Sequence, residues 1–160
     1  MATNEVEILL VEDSPADVEL TLHALRRDNL ANHIHVARDG EEALDFLYCR
    51  GAHCQRDPNQ RPKLILLDLK LPKVDGLAVL RQIKSDPRLK AVPVVVMTSS
   101  KEEKDLIQSY GLGVNSYIQK PVDFDQFRAA VKQLGLYWLL VNVPPPAEAF
   151  APRSSIEPDD

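Results

Sequence analysis

Residues 64–68 read Leu64-Ile65-Leu66-Leu67-Asp68, four apolar side chains in a row closed by a carboxylate. A strand with water on one face alternates apolar and polar residues, whereas an unbroken apolar run predicts a strand covered on both faces, as in a parallel sheet between two helical layers. The same signature recurs on either side of it. Upstream, Val6 to Val11 is apolar except at Glu7 and stops at Glu12-Asp13. Downstream, Val92 to Met97 stops at Thr98-Ser99-Ser100, and Ser116-Tyr117-Ile118 runs into Lys120-Pro121. Ile34 and Val36 alternate with polar neighbours as a shorter strand.

Helical patterns fill the gaps. Ser14-Pro15-Ala16-Asp17 predicts a helix start with Ser14 at the cap, Pro15 at the first helical position and Asp17 completing a capping box. Val18, Leu22 and Leu25 recur along that helix at helical spacing, and it is predicted to run to about Asp28. Asp39 caps a second helix carrying Ala43, Leu44, Phe46 and Leu47 and ending near Arg50. Asp75-Gly76 starts a third, with Leu77, Leu80 and Ile83 as its stripe, stopped by Asp86-Pro87. A fourth follows Ser100, with Glu103 in the capping-box place, and runs towards Tyr110 before Gly111 and Gly113. Asp123 caps a fifth, which carries Phe124, Phe127, Ala130, Val131 and Leu134. Five strand-helix alternations predict a doubly wound α/β fold built on a five-stranded parallel sheet. Residues 51–62 are predicted as a long polar surface loop. Past Gly135 the pattern stops. The expected division is therefore a domain over 1–135 and a C-terminal extension over 136–160, partly docked through Leu136 to Val143 and then disordered from Pro144.

With 160 residues and 44% hydrophobic content, the chain is sized for one core. A net charge of −5 argues against broad binding to nucleic acid, which rests on cations neutralising phosphates. No apolar stretch is long enough to cross a bilayer and no basic, then apolar, leader opens the chain, so a cytoplasmic protein off the membrane is expected. Cys49 and Cys54 flank His53, but structural zinc takes four ligands, and the other nearby histidines, His33 and His35, fall on a different predicted element. Free thiols are expected there.

In a doubly wound sheet, ligands bind beyond the carboxyl ends of the strands, where the winding reverses. The residues predicted at those ends are Glu12 and Asp13, Asp68, Thr98 and Lys120. Crowded carboxylates repel by several kcal/mol within roughly 4 Å unless a cation joins them. Mg²⁺ suits such a place, because it takes few carboxylates and fills its shell with water and phosphoryl oxygens. Asp13 and Asp68 suit direct ligation, Glu12 ligation through water, and the backbone carbonyl of Lys70 is a further candidate. Phosphoryl transfer needs an in-line nucleophile and charge stabilisation on the equatorial oxygens. Asp68 is the candidate nucleophile, with Lys120 and the Thr98 hydroxyl as contacts for the phosphoryl oxygens. Each residue alone has an ordinary structural explanation; their joint placement at successive strand ends carries the reading. Asp17 is explained as a helix cap.

The motifs Ile8-Leu9-Leu10-Val11-Glu12-Asp13, Leu66-Leu67-Asp68-Leu69-Lys70-Leu71-Pro72 with Asp75-Gly76, Met97-Thr98-Ser99 and Tyr117-Ile118-Gln119-Lys120-Pro121 resemble those of a response-regulator receiver domain, from about Val6 to Leu134. The resemblance implies the flavodoxin-like (βα)5 fold with strand order 2-1-3-4-5 and a cis bond before Pro121. It implies Asp68 as phosphoacceptor, Glu12 and Asp13 as the acidic pair, Thr98 as switch hydroxyl and Lys120 as site lysine. The loop over 51–62, the Leu136-Tyr137-Trp138 extension and the stretch Glu12-Asp13-Ser14-Pro15-Ala16-Asp17 are similar to the small receivers that partner bacterial and cyanobacterial phytochromes.

On that resemblance the chain is expected to be a single-domain phosphoacceptor switch and not an enzyme acting on an external substrate. Its expected partners are a sensor histidine kinase, a phytochrome, and a downstream or phosphotransfer protein, with a homodimer through the fourth helix, fifth strand and fifth helix. Tyr117 is expected either to move into the space vacated by Thr98 or merely to cap the core. Phe124, Phe127, Tyr137 and Trp138 are candidates for an interface, with core packing the competing reading for the two phenylalanines. A chemotaxis-type receiver and a pseudo-receiver that takes no phosphate are the rival readings. An aspartyl phosphohydrolase is disfavoured because its paired aspartates would follow the first strand, and a flavodoxin-like redox protein because Glu12-Asp13 stand where a phosphate loop would be.

Overall fold

The computed structural model describes residues 6–26, 33–109 and 111–136. Its elements run β1 (Ile8–Val11), α1 (Pro15–Arg26), β2 (Ile34–Ala37), α2 (Gly40–Tyr48), a 3₁₀ turn (Gly51–His53), β3 (Leu64–Asp68), α3 (Gly76–Ser85), β4 (Val94–Thr98), α4 (Lys101–Ser109), β5 (Ser116–Gln119) and α5 (Phe124–Gln133). The strands form one parallel sheet in the order β2-β1-β3-β4-β5, the expected winding.

Side chains of a strand point alternately to its two faces, and here both faces are buried. Leu9, Val11, Ile65, Leu67, Val94 and Val96 pack on one side with Phe46 of α2, Leu80 and Ile83 of α3 and Ile107 of α4. Ile8, Leu10, Leu64, Leu66, Val95 and Met97 pack on the other with Val18 and Leu25 of α1 and Phe127, Ala130 and Val131 of α5. Each such aliphatic side chain contributes roughly 1.5–3 kcal/mol when fully buried, which is why no polar alternation appears in these strands. Phe127 belongs to this core, and Phe124 packs half-buried against it.

Three helices start on the aspartates that the sequence marks. Asp39 accepts the Glu42 amide at 2.7 Å, Asp75 the Ala78 amide at 2.9 Å and Asp123 the Gln126 amide at 2.8 Å. Such a cap contributes typically about 1 kcal/mol. The α2 helix closes at Cys49 in the left-handed region, beside the expected end near Arg50. Two strand starts move, that of β1, which begins at Ile8 rather than Val6, and that of β4. Val92 donates its amide to Leu89 O at 2.9 Å and so closes the turn after α3, and Pro93 has no amide to give the ladder. The strand therefore begins at Val94. The end of the first helix past Arg26, Tyr110, the interface candidates Tyr137 and Trp138, and the tail lie outside the described residues. Leu136, the first residue of the extension, packs against the α1/α5 side of the core.

Gly76 is required for a steric reason. A β-carbon there would overlap Asp68 O and Leu69 Cα, because the start of α3 rests directly on the end of β3, with the Gly76 amide 2.8 Å from Leu69 O. Nothing lies within 4 Å of a β-carbon at Gly113. Gly76→Ala is therefore expected to lower unfolding free energy by about 1–3 kcal/mol, as overpacking does, while Gly113→Ala leaves it nearly unchanged. Urea unfolding of the two variants checks this, and equal effects would refute the close approach.

Candidate functional site

The register of the sheet assembles the site. Val11 pairs with Leu67, so Glu12 emerges level with Asp68; Asp68 in turn pairs with Met97, and Thr98 with Gln119. Lys120 follows one residue later, its amide donating to Thr98 O at 2.8 Å, and the Lys120–Pro121 bond is cis as expected. Four segments far apart in sequence thus deliver their polar ends to one edge, astride the β1/β3 boundary where the winding reverses.

At the centre stands the Lys120 ammonium. Its Nζ lies 2.8 Å from Glu12 Oε1, 3.0 Å from Asp68 Oδ2 and 3.3 Å from Asp17 Oδ2. Glu12 is fully buried and Asp68 5% exposed, so these charges are little screened by water. Burial pushes the Glu12 carboxyl up to about 7, against the pull of Lys120 and with the charge of Asp68 adding to the rise. Burial alone would lower Lys120, but the carboxylates of Glu12 and Asp68 outweigh it and hold the ammonium charged well above the usual lysine range.

Asp17 departs from its sequence reading. Ser14 does cap α1, its Oγ accepting the Asp17 amide at 3.3 Å. The reciprocal half of the capping box is made differently: the Ser14 amide donates to Glu12 Oε2 at 3.2 Å, which releases the Asp17 carboxylate to reach Lys120. One residue thus serves the helix with its backbone and the site with its side chain. Only the fold, which lays the start of α1 beside the end of β5, reveals the second role.

Asp13, the remaining carboxylate, is exposed, and Glu12, Asp13 and Asp68 each offer an oxygen within 4.8 Å of the others. This all-oxygen donor set fits a hard divalent ion. Glu12 is the most deeply placed of the three, with the Ser14 amide on one oxygen and Lys120 on the other, and Asp13 is the most open to an ion. Asp68 Oδ1 also accepts the Lys70 amide at 3.4 Å, while the Lys70 side chain turns away to Glu103 at 3.4 Å. Glu103 in addition accepts the Ser99 amide at 3.0 Å, tying the loop after β4 to α4.

Thr98 is buried at the end of β4, and Tyr117 is half-buried on β5 with the Lys104 ammonium 5.1 Å from its ring centre. Both line one open cleft of ≈ 630 Å³ whose wall also includes Ser100, Lys101, Lys104, Gln119 and Gln126. The two cysteines, Cys49 half-buried and Cys54 exposed, are free thiols as expected. Among the described residues no helix is long and apolar enough to cross a membrane.

Comparison with known proteins agrees with this geometry. The profile described as "Response regulator receiver domain" matches residues 8–132. The chain is similar to the bacteriophytochrome response regulator AtBRR, 55% identical with a TM-score of 0.77 over 82% of this chain and 94% of that one. It is similar to the phosphorylated cyanobacterial phytochrome response regulator RcpA, 41% identical with a TM-score of 0.68 over 88% of this chain and 97% of that one. Response regulator Rcp1 of Synechocystis sp. is 43% identical over 82% of this chain and 88% of its own length. The structure of its Mn²⁺-bound form has a TM-score of 0.66 over 87% of this chain and 97% of that one.

Removing the ammonium should expose the repulsion it masks. Lys120→Met in EDTA is expected to lose roughly 1–3 kcal/mol of stability by leaving buried carboxylates uncompensated, with added Mg²⁺ narrowing the loss. Asp17→Asn, whose carboxylate is 38% exposed, should change stability by less than about 1 kcal/mol. Chemical denaturation with and without Mg²⁺ measures both; a Lys120→Met protein as stable as wild type in EDTA would contradict the electrostatic account.

Proposed function

This chain belongs to the response-regulator receiver family, and from that premise we propose that it takes a phosphoryl group onto Asp68 from a sensor histidine kinase that is a phytochrome. The observation that carries the proposal is the convergence of Asp68, Lys120, Glu12 and Asp13 at one strand edge. The likeness to regulators whose own names attach them to phytochromes supports the kinase assignment.

A carboxylate oxygen of Asp68 attacks phosphorus as the phosphorus–nitrogen bond of the kinase's phosphohistidine breaks, leaving an acyl phosphate on Asp68 and a histidine that picks up a proton. Lys120, already 3.0 Å from Asp68 Oδ2, stays beside the new group and pairs with one of its oxygens. The Thr98 hydroxyl takes another. When bound, Mg²⁺ neutralises the acidic edge and the incoming phosphoryl charge, with Asp13, Asp68 and the Lys70 carbonyl as its ligands and Glu12 acting through water. The chemistry acts on the protein's own side chain, so the chain works as a switch and not as an enzyme that turns over an external substrate.

Output follows from the cleft. Drawing Thr98 towards the phosphoryl group vacates volume beside Tyr117, which lines the same cleft, and a ring that moves inward changes the face formed by α4, β5 and α5. That face is the one proposed to meet a downstream or phosphotransfer protein, or a second copy of the chain.

Incubation with Mg²⁺ and acetyl phosphate, followed by intact-mass measurement, tests the assignment. Wild type is expected to gain one acid-labile, hydroxylamine-labile phosphoryl group and Asp68→Asn none, while Thr98→Ala is phosphorylated yet leaves the environment of Tyr117 unchanged by NMR. Wild type that takes no phosphoryl group and ignores beryllofluoride would instead establish a pseudo-receiver.

A further inference from the structure

Away from the acidic edge, a second cluster gathers on the outer side of the sheet. His35 comes from β2, Glu42 from the first turn of α2 and His53 from the 3₁₀ turn beyond that helix. Both imidazoles direct the same atom at the same oxygen: His35 Nε2 lies 3.4 Å and His53 Nε2 3.8 Å from Glu42 Oε2. All three ligand-capable atoms lie within 4.8 Å of one another.

An ordinary histidine–glutamate hydrogen bond does not account for this. Such bonds close at about 2.7–2.9 Å when charge-assisted, whereas neither imidazole is that near. His35 Nε2 is shut off from solvent and has no hydrogen-bond partner among the described residues. Burial and the neighbouring His53 push the His35 imidazole below its usual range, against the pull of the Glu42 carboxylate, and a neutral imidazole has a nitrogen lone pair to offer an ion.

The spacing suits a small ion instead. Ligands bound tetrahedrally at roughly 2.0–2.1 Å stand about 3.4 Å apart along the edges of the polyhedron. The three side chains are also oriented in advance. The His35 ring stacks on Phe46 at 4.4 Å and 12°, and the His53 ring stands edge-on to His35 at 5.0 Å and to Phe46 at 5.1 Å. Glu42 is fixed through its other oxygen, which accepts the Arg38 amide at 2.9 Å. Arg56, a cation beside the cluster, lies over Phe46 and donates to Phe46 O and Gln60 O.

We infer that His35, Glu42 and His53 form a binding site for a borderline transition-metal ion, Zn²⁺ above all, separate from the oxygen-only edge that takes the hard ion. Two imidazoles and one carboxylate suit zinc and leave a fourth position for water or for a side chain of a partner. Binding pins the 3₁₀ turn and the long loop after it to the edge strand β2.

The test titrates the full chain with Zn²⁺, and separately with Co²⁺, in saturating Mg²⁺ so that the acidic edge is already filled. Wild type is expected to bind one Zn²⁺ per chain and to give with Co²⁺ the strong visible absorption of a four-coordinate site. His35→Gln and His53→Gln should each weaken binding by more than the roughly 10–100-fold that loss of an outer hydrogen-bond partner costs, and Asp13→Asn should bind as wild type does. Far-UV circular dichroism and phosphoryl uptake by His53→Gln show whether the fold persists; should both histidine variants unfold, the wild-type stoichiometry and Co²⁺ spectrum decide alone. Failure of wild type to bind Zn²⁺ in saturating Mg²⁺, binding untouched in folded histidine variants, or binding lost in Asp13→Asn would overturn the site.

Discussion

Carboxylates from β1, α1 and β3 share one corner of the molecule only because the Lys120 ammonium stands between them. At an intermediate effective dielectric, two unit charges about 4 Å apart repel by roughly 4 kcal/mol, comparable with a large part of a domain's net stability. Lys120 meets Glu12, Asp17 and Asp68 within 3.3 Å, so it converts that repulsion into attraction. Its own position is set by the sheet, through the pairing of Thr98 with Gln119 and the Lys120 amide on Thr98 O. A one-residue slip of β5 would send the lysine to the wrong face and leave the acidic groups uncompensated. The electrostatics of the edge and the register of its outermost strand therefore constrain each other.

The same edge limits what can follow each strand. The start of α3 rests on the backbone of Asp68 itself, close enough that only glycine fits at position 76. Asp75 turns its carboxylate onto the helix end and Glu103 turns its own onto Ser99, so acidic residues that could crowd the site are occupied elsewhere. Packing of the helix starts holds Asp68 in place from behind, while Lys120 and the Lys70 amide hold its two oxygens from the front.

Much of this was legible in the sequence because strand ends are marked twice, by the sudden loss of apolar residues and by the arrival of charge. Asp68 and Lys120 stand at such breaks, and the aspartates at 39, 75 and 123 announce their helices by local hydrogen bonding alone. The part that stayed hidden depends on distance in the fold. Asp17 has a sufficient local explanation as a cap residue, and nothing nearby in sequence says that its carboxylate faces a lysine 103 residues away. Val92 looked like strand because it is β-branched and apolar, but its amide belongs to the turn from Leu89. His35 and His53 lie on elements that periodicity keeps apart; the packing of α2 against β2 brings their rings to 5.0 Å.

The two clusters differ in chemistry in a way that would sort ions. The strand-edge cluster offers only oxygen donors around a resident ammonium, which disfavours a strongly held soft ion and suits one that keeps water and exchanges. The cluster beside β2 offers two imidazole nitrogens and one carboxylate. A hard ion needed transiently at Asp68 and a borderline ion held by His35, Glu42 and His53 would then not compete. Because β2 and β3 flank β1 on opposite sides, occupancy of the histidine cluster would stiffen the long loop that leads back into β3 without touching the reacting carboxylate. Two physical routes join the clusters, that loop with the strand it feeds and the direct pairing of β2 with β1, where the Glu12 amide meets Ala37 O at 3.0 Å.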